Sequence, residues 1–193
     1  MDWDKKLHVR TAGLDNSGAD VHHNRCEPTD YGVLERLAES GHIRSDQVLV
    51  DYGCGKGRVG FFLSNRLGCH SIGVEFDSDI YRQAMENCRS YTGRGSVEFV
   101  CMSAENYPVK AGDCFYFFNP FSVEILASAF RRILDSWYEN PRPVKLFFYY
   151  PHDSYRIWLL SSDQLRLMEE IDCSDLFPGK DPRERILIFQ LEP

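Results

Sequence analysis

The stretch VLVDYGCGKGRVGFFL, residues 48–63, decides the fold. Its first residues, 48–50, form an apolar run that is typical of a strand buried on both faces. Asp51 then precedes three glycines at alternate positions, Gly53, Gly55 and Gly57, and a helix-like segment follows. Glycines lack Cβ, so the chain can turn sharply and a ligand can lie against the backbone, before the unpaired N–H groups of a helix start. The stretch therefore predicts a strand, a turn and a helix, with a ligand site in the turn.

Similar units follow along the chain, because short apolar runs alternate with amphipathic stretches. Predicted strands cover 48–50, 71–76, 97–102, 114–118 and 144–150, and predicted helices cover 57–67, 78–91, 122–139 and 154–160. The helix at 122–139 has the clearest pattern, since its apolar residues recur every three or four positions behind Ser122. Such βαβ units predict a mostly parallel sheet that is covered by helices on both faces.

The carboxyl-terminal part has a different pattern. Two strand-like runs, 164–171 and 184–192, are separated by a polar segment that contains Pro and Gly. They predict an antiparallel hairpin that closes the sheet. The predicted fold class is therefore α/β, with a three-layer Rossmann-like, mostly parallel sheet and a C-terminal antiparallel hairpin, and residues 28–193 are expected to form one domain.

Residues 1–27 are polar and aperiodic, so they are interpreted as an extended N-terminal arm. Thr29 is expected to cap a helix that runs to about Ser40. His22, His23 and Cys26 could suggest a metal, but two adjacent imidazoles do not easily face one ion and no cluster of carboxylates and histidines completes the site. No metal is therefore expected.

Composition restricts the partners. The formal net charge of −7 repels polyphosphate, so a small-molecule or protein substrate is favoured over nucleic acid. No apolar run approaches the roughly 20 residues of a membrane helix, and the terminus MDWDKKLHVR lacks the apolar segment of a secretory signal. Seven cysteines without a C-x-x-C pair are expected to be reduced thiols, and the expected location is the cytoplasm.

The glycine turn resembles the D-x-G-x-G-x-G motif of class I S-adenosylmethionine-dependent methyltransferases, and so does the order of elements over residues 29–193. The resemblance implies S-adenosylmethionine as cofactor, with Gly53, Gly55 and Gly57 at its methionine part and Asp51 at its amino group. Gly55, Gly57 and Gly60 also satisfy the dinucleotide pattern G-x-G-x-x-G, so an NAD(P)-dependent oxidoreductase remains an alternative. An acid beside the turn suits a cationic amino acid better than a pyrophosphate.

Other positions extend the resemblance. Glu75 ends the second predicted strand, where a carboxylate can accept hydrogen bonds from ribose hydroxyls, although it could also cap the next helix. Family members often have an acid before a small residue at the adenine. The matching positions here are Ser103 and Ala104, with Glu105 as the alternative acid.

The segment Asn119-Pro120-Phe121 follows the fourth predicted strand and resembles motif IV of amino-group methyltransferases, with one proline fewer. The resemblance implies that Asn119 orients a target nitrogen and that Phe121 packs beside the transferring methyl. An Asn-Pro pair is also an ordinary turn between a strand and a helix. A catalytically silent nucleoside-binding scaffold is therefore a further alternative.

Two further sets of residues are candidates for the pocket. Thr29 and Tyr31 belong to a helix that resembles the one preceding the glycine motif in several small methyltransferases, and either could contact the carboxylate end of the cofactor. Tyr149, Tyr150 and His152 end the fifth predicted strand, where they could border the acceptor or belong to the core. Tyr150 or His152 could assist the loss of the acceptor's proton.

Overall fold

The structure is a computed structural model that describes residues 2–13 and 27–192. The three residues considered above as metal ligands, His22, His23 and Cys26, lie outside the described residues. Between 27 and 192, strands and helices alternate as the sequence predicts, with ends that differ from the predicted ones by a few residues at most.

The strands are β1 (Val48–Tyr52), β2 (His70–Glu75), β3 (Ser96–Cys101), β4 (Cys114–Phe117), β5 (Lys145–Tyr149), β6 (Leu165–Asp172) and β7 (Arg185–Leu191). The helices are α1 (Trp3–Leu7), α2 (Tyr31–Glu39), α3 (Arg58–Leu67), α4 (Ser78–Ser90), α5 (Val123–Glu139) and α6 (Asp153–Leu160), and short 3-10 helices cover Ala104–Asn106 and Ser174–Leu176.

One seven-stranded sheet has the order β3-β2-β1-β4-β5-β7-β6. Pairs from β3 to β5 are parallel, and β7 is antiparallel to both β5 and β6. The predicted fold class is therefore confirmed, with β7 as the one reversed strand. The order reverses at β1, so the carboxyl ends of β1, β2 and β4 meet at the point where open sheets bind ligands.

Two apolar cores cover the two faces of the sheet. Leu126, Phe130 and Ile133 of α5 pack on one face, and Phe62 of α3 packs on the other beside α1 and α2. The strands contribute runs of fully buried side chains, such as Phe147 and Phe148 on opposite faces of β5. This burial on both faces explains the near-continuous apolar strands of the sequence.

The amino-terminal segment packs against this body. Trp3 and Leu7 of α1 are buried, and the Trp3 ring meets Phe62 edge-on at 4.9 Å. The Trp3 indole also donates a hydrogen bond to Glu35 in α2 at 2.9 Å. The interpretation as an extended arm is therefore wrong for residues 2–13. A five-residue helix is too short for periodicity to reveal it, and its two buried side chains are one turn apart.

The expected cap of α2 is also corrected. Asp30 caps the helix, because its carboxylate accepts from the Gly32 N–H at 2.7 Å. The Thr29 hydroxyl lies 3.0 Å from the Tyr116 hydroxyl instead, and both residues line a cavity at the end of the sheet. Asp and Thr are both good caps, so the sequence did not determine which of the two neighbours would serve.

Candidate functional site

A cavity opens at the carboxyl ends of β1, β2 and β4. Eight of the residues expected at the site line it: Thr29, Asp51, Gly53, Gly55, Glu75, Ala104, Pro120 and Phe121. The other five do not line it: Tyr31, Gly57, Ser103, Glu105 and Asn119. The sheet therefore brings together the first glycines, both acids and the segment after β4.

Asp51, the penultimate residue of β1, lines this cavity and is 3% exposed. Its Oδ2 atom has no hydrogen-bond partner among the described residues. Burial, and then the negative charge of Glu75, raise the pKa of the Asp51 carboxyl to about 8. A buried carboxylate oxygen without a partner is unfavourable, so this position is suited to a ligand that brings a cationic donor.

Glu75 is a buried acceptor at the end of β2. Its two carboxylate oxygens accept from the Gly55 and Asp77 N–H groups, each at 3.0 Å. Burial raises the pKa of this carboxyl. Each oxygen has a second lone pair, so Glu75 can fix the glycine turn and still accept from ligand hydroxyls such as those of a ribose.

The glycines of the turn have different neighbours. Gly53 has φ 69° and a Cβ built on it would lie 2.3 Å from the Pro120 Cβ, so the turn touches the segment after β4. Gly57 has φ 90°, caps α3 and faces the Phe99 ring, which a Cβ would meet at 2.5 Å. Gly57 therefore permits the packing of α3 on β3, whereas Gly53 and Gly55 face the cavity.

Of the three residues expected at the site after β3, one lines the cavity and two do not. Ala104 lines the cavity, whereas the Ser103 hydroxyl accepts from the Asn106 amide at 2.8 Å and Glu105 is exposed. Phe76 and Met102 line the cavity and were missed. Both are the last residues of predicted strands and follow directly after the observed ends of β2 and β3, and that position was the signal that could have identified them as apolar neighbours of a flat ring.

Asn119 follows β4 but turns its side chain toward the loop after β5. Its Nδ2 donates to the Tyr150 carbonyl at 2.5 Å, and its Oδ1 accepts from the His152 N–H at 3.1 Å. Asn119 is 6% exposed and has φ 41°. The side chain thus holds two loops together beside Pro120 and Phe121, which line the cavity.

The tyrosines after β5 are held by acids. The Tyr149 hydroxyl donates to Glu184, and the Tyr150 hydroxyl donates to Asp181 at 2.9 Å. Burial raises the pKa of both phenols. Neither of them, nor the exposed His152, lines the cavity. Tyr149 packs within the core, which is the alternative that the sequence left open.

Arg58, at the start of α3, is a cavity residue that the sequence analysis missed. Its Nε donates to the Thr11 hydroxyl at 2.7 Å and its Nη1 donates to the Thr29 carbonyl at 3.1 Å. Its guanidinium lies 4.5 Å from the centre of the Tyr31 ring. The position directly after the third glycine was the available signal. The Tyr31 hydroxyl donates to Asp4 and its ring packs on Arg58, so Tyr31 supports Arg58 and does not line the cavity.

An open sheet with one reversed strand, a glycine turn and two buried acids define the Rossmann-like class of nucleoside-binding folds. Residues 49–143 match the family described as a methyltransferase domain. Residues 49–143 are therefore a methyltransferase domain, and the order of the whole sheet is that of the class I, S-adenosylmethionine-dependent fold. Of the two cofactor alternatives left by the glycine pattern, S-adenosylmethionine is therefore the cofactor.

A curated relative supports the same assignment. A protein-lysine N-methyltransferase of Saccharolobus islandicus is 30% identical over 73 residues. The match covers 36% of this chain and 45% of that protein, so the chain matches less than half of the relative's length.

Solved structures share the fold at low identity. An RNA methyltransferase from Salinibacter ruber, in complex with S-adenosyl-L-homocysteine, has a TM-score of 0.57 at 19% identity over 86% of this chain and 94% of its own. A TehB-like SAM-dependent methyltransferase from Corynebacterium glutamicum has a TM-score of 0.59 at 16% identity over 92% of this chain and 91% of its own.

None of the described helices combines the length and the apolar composition that a membrane span requires.

Proposed function

We propose that this methyltransferase transfers the methyl group of S-adenosylmethionine to an amino nitrogen of a small molecule or a protein side chain. The observation that carries the proposal is the contact between the glycine turn and the segment after β4, where a Cβ on Gly53 would lie 2.3 Å from Pro120. A cofactor lying along the turn is therefore next to Pro120 and Phe121, the residues that resemble an amino-group motif.

The match to the protein-lysine enzyme favours the same acceptor class. The net charge of −7 favours a cationic or neutral acceptor over polyphosphate. The expectation that nucleic acid is not the substrate remains a prediction, to be tested beside the amine.

In the proposed reaction the cofactor supplies an activated methyl group on a sulfonium. Of the residues that line the cavity, Asp51 would hold the ammonium, Glu75 would hold the ribose and Ala104 would lie at the adenine. Phe121 is 4% exposed, and its carbonyl accepts from the Tyr155 hydroxyl at 2.7 Å, so the ring at the acceptor side is fixed. Such fixed positioning can contribute roughly 7 to 11 kcal/mol to a transfer between two bound groups.

Asn119 is proposed as a positioning residue. Its amide joins the loops after β4 and β5, so it sets the place of Pro120 and Phe121. Tyr150 is proposed to stay protonated at neutral pH, since its pKa is raised and its hydroxyl donates to Asp181. It therefore acts as a donor that shapes the rim, and a proton-accepting role of His152 remains a prediction.

The test is methyl transfer from labelled S-adenosylmethionine to three acceptors: a lysine-containing peptide, a small primary amine and a short RNA. We expect label on an amine, with a mass increase of one methyl group. Phe121→Leu keeps the residue apolar but removes the ring. It should lower kcat by about 100-fold through loss of alignment, with binding of S-adenosylhomocysteine unchanged.

Tyr138→Leu is the matched control, because Tyr138 is 64% exposed on α5, and it should behave as the wild type. Label confined to the RNA would overturn the amine proposal. Binding of S-adenosylhomocysteine without transfer to any of the three acceptors would instead support the silent scaffold.

A further inference from the structure

Five ionisable side chains of the described residues line the cavity: the acids Glu27, Asp51 and Glu75 and the cations Lys56 and Arg58. Asp51 and Glu75 make a negative pole at the ends of β1 and β2. Among the described residues, no cation lies within ion-pair distance of Asp51, and only burial and Glu75 act on its pKa. A nearby guanidinium would lower that pKa. The cation Arg58 therefore lines the same cavity without neutralising Asp51.

Arg58 has hydrogen-bonding capacity left over. A guanidinium carries five N–H donors. Its Nε donates to Thr11 and one Nη1 hydrogen goes to Thr29, while Nη2 forms a long ion pair with the Asp4 carboxylate at 4.0 Å, beyond hydrogen-bond reach. The Arg58 side chain is 12% exposed, so its charge is weakly screened by solvent. A fixed, shielded cation with free donors is suited to a carboxylate.

Lys56 is the other cation at the cavity. Its Nζ donates to the Ala12 carbonyl at 3.3 Å in an exposed position. A flexible ammonium in that setting loses more side-chain entropy on binding and is better screened by water. Arg58 is therefore the stronger candidate for a carboxylate partner.

We propose that Arg58 binds the carboxylate of the cofactor's amino-acid end while Asp51 binds its ammonium, so that the cavity recognises both charges of the zwitterion. This inference rests on the proposed use of the cavity by S-adenosylmethionine. The sequence analysis assigned the carboxylate contact to Thr29 or Tyr31, and this inference assigns it to Arg58 instead. Arg58 donates to the Thr29 carbonyl and stacks on the Tyr31 ring.

The test is calorimetric binding of three ligands to the full chain. S-adenosylhomocysteine carries both charges, its decarboxylated form carries the ammonium alone, and 5′-methylthioadenosine carries neither. Arg58→Gln should lower the affinity for S-adenosylhomocysteine by about 10- to 100-fold and the affinity for the other two ligands by less than about threefold. Asp51→Asn should weaken both ammonium-bearing ligands and spare 5′-methylthioadenosine.

Arg66→Gln, an exposed arginine in the last turn of the same helix, is the matched control and should bind all three ligands as the wild type does. Arg58→Lys, which keeps the charge, should recover part of the affinity for S-adenosylhomocysteine, and thermal melting shows whether each variant is folded.

The outcomes separate the two proposals. Equal weakening of all three ligands by Arg58→Gln would mean that Arg58 only holds Thr11 and Thr29 in place, which would overturn this inference. Failure of the wild type to bind S-adenosylhomocysteine would sink the proposed function itself.

Discussion

Asn119 and Tyr150 follow neighbouring parallel strands in the same left-handed conformation, with φ of 41° and 48°, and the Asn119 amide donates to the Tyr150 carbonyl. Left-handed φ is costly for residues with a Cβ, although Asn tolerates it better than most. Both loops therefore leave the sheet at matching positions of β4 and β5, and Pro120 and Phe121 line the cavity. The amide therefore stabilises a pair of strained turns.

Asn119→Ala should destabilise the protein by about 2 to 4 kcal/mol, because it removes two hydrogen bonds to backbone and leaves a left-handed residue without the Asn preference. Asn119→Gly loses the same bonds but relieves the backbone, so it should cost about 1 kcal/mol less. Urea denaturation of both variants measures the difference. Wild-type stability in Asn119→Ala would contradict the anchoring role.

Gly53→Ala should be far more damaging than Gly41→Ala. Both glycines have left-handed φ, 69° and 73°, but only at Gly53 does a Cβ meet another atom, the Pro120 Cβ. Gly41 follows α2 with nothing within 4 Å, so its substitution should cost about 1 to 2 kcal/mol of strain alone.

The measurements for this pair are the unfolding free energy and binding of S-adenosylhomocysteine. Gly53→Ala should lose binding, since the turn and the segment after β4 must separate, whereas Gly41→Ala should retain it. Equal effects of the two substitutions on binding would show that the close approach to Pro120 is unimportant.

The pH dependence of stability should reveal Asp51. Its folded pKa of about 8 lies well above the usual value of an aspartate, 3.8, so the free folded protein holds this proton more tightly than the unfolded chain. The contribution of Asp51 is therefore fully present below pH of about 4 and is lost as pH rises toward 8, by at most about 1.4 kcal/mol per pH unit. Asp51→Asn should gain stability relative to the wild type across this window.

Bound S-adenosylhomocysteine should reverse the order at pH 8, because its ammonium pairs with the ionised Asp51 and not with the amide. Melting at pH 5 and pH 8, with and without the ligand, measures both effects. A difference between variant and wild type that is constant with pH would contradict the raised pKa.

Leu7→Ala should destabilise the protein by about 2 to 4 kcal/mol, because Leu7 is 1% exposed in the core under α3. Lys5→Ala in the same helix is the control, since its side chain is 86% exposed, and it should change stability by less than about 0.5 kcal/mol. Denaturant unfolding of the two variants is sufficient. An unchanged free energy of unfolding in Leu7→Ala would contradict the packing of residues 2–13 and support their interpretation as an extended arm.

Local sequence was informative where one element carried the whole signal. Asp51, the glycine turn and Glu75 could be predicted because a strand end, a turn and a helix start follow within a few residues. The roles of Gly57 and Asn119 were harder to predict, because the first faces Phe99 and the second bonds the loop after β5, and both partners are distant in sequence. Arg58 was overlooked because its partners Thr11 and Thr29 lie far upstream.

The sequence by itself determined the alternation of strands and helices, the reversed end of the sheet and the position of the ligand turn, since apolar periodicity and glycine content act within a few residues. Only the tertiary structure decided that α1 is part of the body, that Asp51 Oδ2 has no hydrogen-bond partner among the described residues and that Arg58 lines the same cavity. Burial and charge at those positions depend on neighbours that the folding of distant segments brings into contact.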